Sequence, residues 1–84
     1  MKLELITPTE MLLNVNGVKT LSAPGIEGDF GVWNNHAAFF TVLKEGIINY
    51  STEEGQFKIK VGEAIFEVLN NNIKILAEQA EIVK

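Results

Sequence analysis

The chain has 84 residues, which is enough for one small domain with a single core. A hydrophobic share of 46% and a charged share of 21% are typical of a globular domain and exclude a disordered chain. The net charge of −4 argues against a nucleic-acid binder, and the absence of cysteine excludes disulfides and thiolate metal sites.

The N-terminus, MKLELITPTE, lacks the long apolar core and the small-residue cleavage site of a signal peptide. No stretch of the chain reaches the roughly 18 consecutive apolar residues that a membrane-spanning helix requires. We therefore expect a soluble domain inside the cell, without direct insertion into a membrane.

Alternation of apolar and polar residues predicts β-strands along most of the chain. In chain order, the runs that alternate or are rich in β-branched and aromatic residues are LELI, MLLNVNGV, AAFFTVL, GIINYS, FKIKV, AIFEVL and NIKILAE. Phe57, Ile59 and Val61 are expected to face the core, with Lys58 and Lys60 facing out. In the other alternating runs, one face of the strand is expected to carry Leu3 and Leu5, another Ala64, Phe66 and Val68, and another Ile73, Ile75 and Ala77. The closing AEQAEIVK is expected to form at most a helical turn.

Turn-forming residues separate these runs at short intervals. The main turn candidates are Thr7-Pro8, Asn16-Gly17, Pro24-Gly25, Asn34-Asn35, Glu45-Gly46, Glu53-Glu54-Gly55, Gly62 and Asn70-Asn71-Asn72. Many short strands with frequent turns predict one all-β domain over residues 1–84. We expect a compact antiparallel β-sandwich or flattened barrel of about nine or ten short strands.

The stretch GIEGDFGVWNNHAAFF, residues 25–40, contains the residues most suggestive of a site. Asp29-Phe30-Gly31 has the letters of a kinase metal motif, but the chain is too short to hold the other kinase motifs. We interpret Phe30 as a core residue instead. His36 could pair with Asp29 for acid–base chemistry, but no activated nucleophile or oxyanion motif accompanies the pair. We expect neither catalysis nor a cofactor.

The acids and glycines of the same stretch have simpler interpretations. Glu27 and Asp29 are too few for a carboxylate metal site, so we expect no metal and a solvated acidic loop. Gly25, Gly28 and Gly31 match no nucleotide-binding fingerprint and indicate a tight excursion between strands. An acidic tip beside the apolar run AAFF suits a protein-docking surface, and a plain solvent loop is the alternative.

The run SAPGIEGDFGVWNNHAAFFTVLKEGIINY resembles the signature of the epsilon subunit of F-type ATP synthases, which is called delta in mitochondria. LELITPTEMLL is similar to the opening strand and turn of that family, and GEAIFEVLNNNIKILAEQAE to its closing strand pair. The likeness covers essentially the whole chain. Within the signature, the matching positions are Gly25, Glu27, Gly28, Asp29, Phe30, Gly31, Val32, His36, Ala37, Thr41, Leu43, Lys44 and Gly46.

The chain departs from the family pattern in two turn positions and at its end. Asn34-Asn35 stands where Pro-Gly is usual, and the turn can survive because Asn tolerates left-handed backbone angles. Ala38 stands where Pro is common. Many members continue into a C-terminal helical hairpin, and we expect none in this chain, whose sequence stops at Lys84. The starting Met1 and the strand-like end EIVK favour a naturally short subunit over a truncated one.

The resemblance implies a non-catalytic subunit of the rotor's central stalk that couples proton-driven c-ring rotation to ATP synthesis. Its partners would be the gamma subunit and the c-ring, on the cytoplasmic side of the bacterial inner membrane. The expected c-ring contacts are Glu27, Gly28, Asp29 and His36. The expected gamma contacts are Ala37, Ala38, Phe39, Phe40, Thr41 and, in the first turn, Thr7, Pro8 and Thr9. The alternative function is a stand-alone β-sandwich module that binds a sugar or a peptide, with Trp33 as its aromatic platform.

Overall fold

The computed structural model describes residues 1–83, and within them it contains ten β-strands and no helix. This confirms the all-β prediction. The strands are β1 (Lys2–Ile6), β2 (Met11–Val15), β3 (Thr20–Gly25), β4 (Gly28–Trp33), β5 (Phe39–Leu43), β6 (Gly46–Thr52), β7 (Gly55–Val61), β8 (Ala64–Leu69), β9 (Asn72–Ala77) and β10 (Ala80–Val83). In the described part of the chain, no helix has the length and apolar character needed to cross a membrane.

The strands form one curled sheet in the order β10-β7-β6-β3-β5-β8-β9-β1-β2, with β4 paired to β3. The prediction of a wholly antiparallel sandwich is wrong at one position, because β1 and β9 pair in parallel from Lys2–Asn72 to Ile6–Leu76. These two strands come from opposite ends of the chain, so no local turn dictates their relative direction. The sheet is therefore mixed.

The curl of the sheet brings the inner faces of its strands around one hydrophobic core. β8 and β9 alternate buried and outward residues as predicted, with Phe66 and Ile75 completely buried. Phe57 shares the inward face of β7 with Ile59 and Val61, but it is 39% exposed and does not reach the buried core. Phe57 lies close to the β6–β7 turn, where its ring stacks on that of Tyr50 at a centroid distance of 5.2 Å. Burial raises the pKa of Tyr50 above its usual value of 10.0.

The C-terminal segment is a strand, so the prediction of a helical turn is wrong. Ala80–Val83 pairs antiparallel with β7, beginning with Ala80 opposite Val61. The backbone N–H of Gly62 donates a hydrogen bond to the carbonyl oxygen of Gln79 at 3.0 Å and holds the segment at this edge. The unpaired edge of β7 thus decides the conformation of a segment too short to show a period of its own.

A two-residue turn joins β8 to β9. Asn70 and Asn71 have φ angles of 51° and 62°, the left-handed conformation that both central residues of a type I′ turn require. The Asn71 side chain also ties this hairpin to the β4–β5 loop, because its Oδ1 accepts a hydrogen bond from the Asn35 backbone N–H at 2.8 Å. Asparagine at these positions therefore sets both the turn and the position of the neighbouring loop.

Candidate functional site

The acidic tip of the β3–β4 hairpin is smaller than the sequence suggests. β3 ends at Gly25 and β4 begins at Gly28, so only Ile26 and Glu27 lie in the turn. Asp29 belongs to β4 and is exposed. The predicted glycine loop is therefore wrong in its extent, since backbone pairing turns most of it into strand. The surface that remains is a narrow tip with two neighbouring carboxylates.

Gly25 allows the two strands of this hairpin to approach each other closely. A Cβ atom at Gly25 would lie 2.7 Å from the carbonyl oxygen of Gly28 and 2.9 Å from Cδ1 of Phe30. Gly28 has a φ angle of 132°, which residues with a side chain rarely adopt. The glycine spacing is thus explained by the geometry of the hairpin, without a bound ligand. Phe30 packs against the core, as predicted.

His36 lies at the opposite end of β4 from the tip. The strand runs from Gly28 to Trp33, a span of roughly 16 Å at about 3.3 Å per residue. The structure therefore does not bring His36 together with Glu27 and Asp29. The structure therefore contains no acid–base pair of His36 with Asp29. The four predicted c-ring residues also do not form a single patch.

The surroundings of His36 are aromatic. Its ring packs edge-on against Trp33 and Phe39, with centroid distances of 6.2 Å and 6.0 Å. The Nδ1 atom lies 2.8 Å from the carbonyl oxygen of Ala37 and donates the hydrogen bond, because a carbonyl oxygen can only accept. Phe39 in turn packs edge-on against Phe30 at 5.2 Å. These contacts fix the imidazole as part of the loop's packing.

The predicted gamma-contact residues lie at two ends of one outer surface. Ala37 and Ala38 are exposed in the β4–β5 loop, and Phe40 on β5 is 65% exposed. Thr41 is half-buried because it alternates with Phe40 along the strand. The second group, Thr7, Pro8 and Thr9, forms the β1–β2 turn. β8 and β9 lie between the two groups, so the structure does not bring them into direct contact.

A row of exposed apolar side chains connects these two ends. The register places its members in line across five neighbouring strands, from Val42 on β5 to Met11 on β2. We call it the apolar row, and its members are Val42, Ile65, Leu76, Ile6 and Met11. Four of them are between 41% and 49% exposed. A contiguous apolar surface of this kind is typical of a protein-docking site.

Sequence reasoning missed the apolar row as a surface. The sequence does contain an indication of this surface. Ile65 and Ile6 are apolar residues at outward positions of strands whose inward positions are also apolar. Beside it runs a second row in which Glu67, Lys74 and Glu4 stand next to one another on β8, β9 and β1. Alternating charges of this kind suit a solvent-facing border.

A second outer surface, around β3, β4 and β6, carries both polar side chains and an exposed aromatic ring. Trp33 is 61% exposed there and borders a shallow groove of about 310 Å³ with hydroxyl and amide side chains. Two of these hydroxyls, Thr20 Oγ1 and Ser51 Oγ, are hydrogen-bonded at 2.7 Å. If the chain were a ligand-binding module, which is the alternative function, its ligand would bind at this surface. Among residues 1–83, no group of three or more His, Cys, Asp or Glu side chains is arranged to hold a metal ion.

Together, the all-β fold, the exposed apolar row and the acidic tip are typical of a small protein-docking domain. The chain belongs to the family described as ATP synthase, Delta/Epsilon chain, beta-sandwich domain, whose model matches residues 1–83. Relatives named ATP synthase epsilon chain include those of Desulfatibacillum aliphaticivorans and Syntrophomonas wolfei, each 38% identical over 80 residues. The match covers 94% of this chain but 56% and 58% of those relatives, so the chain spans somewhat more than half of their length.

Solved structures show the same fold. A chain in the Euglena gracilis mitochondrial ATP synthase, in an OSCP/F1/c-ring structure, superposes with a TM-score of 0.87 at 22% identity, covering 95% of this chain and 51% of that chain. A chain in the Tetrahymena thermophila mitochondrial ATP synthase central stalk and c-ring gives a TM-score of 0.80 at 20% identity, covering 96% and 65%. At these identities the likeness concerns the fold. The predicted family is confirmed.

Proposed function

We propose that this chain is the β-sandwich part of a non-catalytic subunit in the central stalk of an ATP synthase rotor. In this role it couples proton-driven rotation of the c-ring to ATP synthesis through contacts with gamma and the c-ring. It would lie peripherally on the cytoplasmic side of the bacterial inner membrane. The observation that carries the proposal is the apolar row on the outer face of a domain that belongs to this family.

The apolar row is the proposed contact with gamma. Its central members, Ile65 and Leu76, are directly paired across β8 and β9, so a partner can bury both at once. Phe40 extends this surface at the β5 end, and the Thr7–Thr9 turn extends it at the other end. Burial of exposed apolar area favours association by about 25 cal/mol per Å², before the entropic costs of binding.

The hairpin tip is the proposed contact with the c-ring. Glu27 and Asp29 are exposed. They flank Gly28, which pairs with Gly25 across the hairpin. Carboxylates at such a tip can accept charge-assisted hydrogen bonds from basic residues on a ring surface. His36 lies in the β4–β5 loop and is not part of this tip. The proposed c-ring contact therefore consists of Glu27, Gly28 and Asp29.

Replacing Ile65 and Leu76 together with Lys is expected to weaken gamma binding by at least about 30-fold, since central buried contacts contribute roughly 2 kcal/mol or more. The measurement is capture of the gamma subunit from the same organism by the tagged chain, followed by titration. The matched control is Ser22→Lys with Gln56→Lys, which adds the same charge to the second outer surface. Unchanged capture by the Ile65/Leu76 variant, with a folded circular dichroism spectrum, would contradict the proposal.

Replacing Glu27 and Asp29 together with Lys is expected to weaken association with the c-ring by about tenfold, in a salt-dependent manner, and to leave gamma capture unchanged. Co-sedimentation with reconstituted c-ring, and proton-driven ATP synthesis in vesicles, report the two effects. Glu53→Lys with Glu54→Lys is the control, because that pair occupies the β6–β7 turn before Gly55, whose φ angle of 133° matches that of Gly28. Equal losses in both variants would show a general charge effect and refute the role of the tip.

A ligand-binding module is the second candidate, and the exposed Trp33 beside the polar groove is the observation that favours it. An aromatic ring next to hydroxyl and amide groups suits a sugar ring or a polar peptide. The two functions differ in a simple experiment: a chain that binds a small ligand at Trp33 but fails to capture gamma or c-ring supports the module. Capture of gamma through the apolar row supports the stalk.

A further inference from the structure

A groove along one side of the apolar row combines apolar walls with an acidic rim. Its volume is about 490 Å³, and it is lined by Ile6, Val42, Ile65 and Leu76 of the row together with Glu63 and Glu78. No basic side chain among residues 1–83 lines it. The groove therefore offers an apolar floor for a long side chain and negative charge for the end of that side chain.

The two carboxylates border the same groove. Ala64 pairs with Ala77 across β8 and β9, and Glu63 directly precedes β8 while Glu78 directly follows β9. Both residues are exposed, and both line the groove together with Ile65. Two like charges at one groove repel each other. A cation placed between them would remove this repulsion.

The opposite border of the apolar row is mixed in charge. There Lys74 stands between Glu67 and Glu4, so a positive charge offsets part of the negative charge within the sheet. Lys44 directly follows β5 and is not among the residues that line the groove. The two borders therefore differ, because the charged side chains of residues 1–83 that line the groove are all acidic.

We propose that this groove receives an arginine side chain from the partner surface that docks on the apolar row, an inference that rests on the proposed function. The aliphatic stem packs against Ile65 and Leu76, and the guanidinium lies between Glu63 and Glu78. Arginine fits better than lysine, because its planar guanidinium is more weakly hydrated and can donate to both carboxylates at once. A second copy of this chain fits poorly, since a symmetric contact would bring the same acids together.

The first test uses a small probe of arginine's side chain and does not depend on gamma. The chain is titrated with n-butylguanidinium and, separately, with the neutral N-butylurea, and followed by NMR. We expect the resonances of Glu63, Ile65, Leu76 and Glu78 to shift several-fold more with the cation than with the urea. We also expect Glu63→Gln with Glu78→Gln to abolish the difference. Equal shifts with both probes overturn the proposal, and so do shifts confined to residues outside the groove. Groove shifts that depend on protein concentration would reveal self-association and also overturn it.

The second test measures the affinity for gamma. Glu63→Gln with Glu78→Gln is expected to weaken binding about tenfold, with a reduced salt dependence. Glu4→Gln with Glu67→Gln removes the same charge from the other border and is expected to change binding less than twofold. If gamma binds and both pairs have equal effects, the groove proposal fails and the proposed function stands. If gamma does not bind but the cation probe does, the proposed function fails and the groove stands.

Discussion

Phe66→Ala is expected to lower the free energy of unfolding by about 3–5 kcal/mol, a large share of the roughly 5–15 kcal/mol that stabilises a typical domain. Phe66 is completely buried, and its ring packs edge-on against those of Phe30 and Phe39 at 5.1 Å and 6.4 Å. Truncation removes this burial and both aromatic contacts, and leaves a cavity. Urea unfolding followed by far-ultraviolet circular dichroism gives the free energy.

The matched control is Phe57→Ala, which makes the same chemical change at a side chain that is 39% exposed. We expect a loss of about 1–2 kcal/mol there, because less apolar area returns to water and no closed cavity forms. Equal losses for the two variants would contradict the assignment of Phe66 to the centre of the core. Since Phe39 also contacts His36, the Phe66 variant should further broaden the NMR signals of the β4–β5 loop.

Gly25→Ala is expected to cost about 1–3 kcal/mol of stability, because the added methyl group is forced into occupied space. The nearest atoms would be the carbonyl oxygen of Gly28 at 2.7 Å and the ring of Phe30 at 2.9 Å. A backbone oxygen cannot move aside as a flexible side chain can, so the two strands must separate. The tip that carries Glu27 should move with them. Thermal unfolding measures the loss, and amide chemical shifts report the movement.

Gly62→Ala provides the comparison for Gly25. A Cβ atom there would meet nothing closer than the carbonyl oxygen of Gln79 at 3.9 Å, an ordinary contact distance. We expect a change in the free energy of unfolding of within about 0.5 kcal/mol, typical of unstrained surface substitutions. If the two variants were equally stable, the close approach at Gly25 would have no energetic consequence. The hairpin would then owe its shape to pairing alone.

The strands were predictable wherever apolar residues alternate with a clear period of two. β8 and β9 were predicted with the correct grouping of residues on each face, because each has three apolar residues in regular alternation on the face that is buried. The segment AEQAEIVK was interpreted as a possible helical turn with a strand-like end, since the conformation of β10 depends on the free edge of β7 more than on its own four residues. Phe57 was placed in the core because alternation shows which face a residue is on, while its distance from the end of the sheet decides how deeply it is buried.

The candidate site was predictable only in part. The acidic tip and the exposed Phe40 follow from local sequence, because turn glycines and strand alternation are local features. The separation of His36 from Glu27 was not apparent, since the spacing along the chain does not reveal that β4 runs straight between them. Which of the predicted contacts meet gamma or the c-ring stays a prediction that the variants described above can test.

The sequence alone determined the all-β class, the family resemblance, the inward residues of the central strands and the glycine-bounded tip. Each of these depends on residues close together in the chain, where alternation and turn chemistry act. The tertiary structure decided the parallel pairing of β1 with β9, and with it the apolar row and the acidic groove. Ile6 and Leu76 become neighbours through backbone hydrogen bonds between opposite ends of the chain, and no local pattern specifies that register.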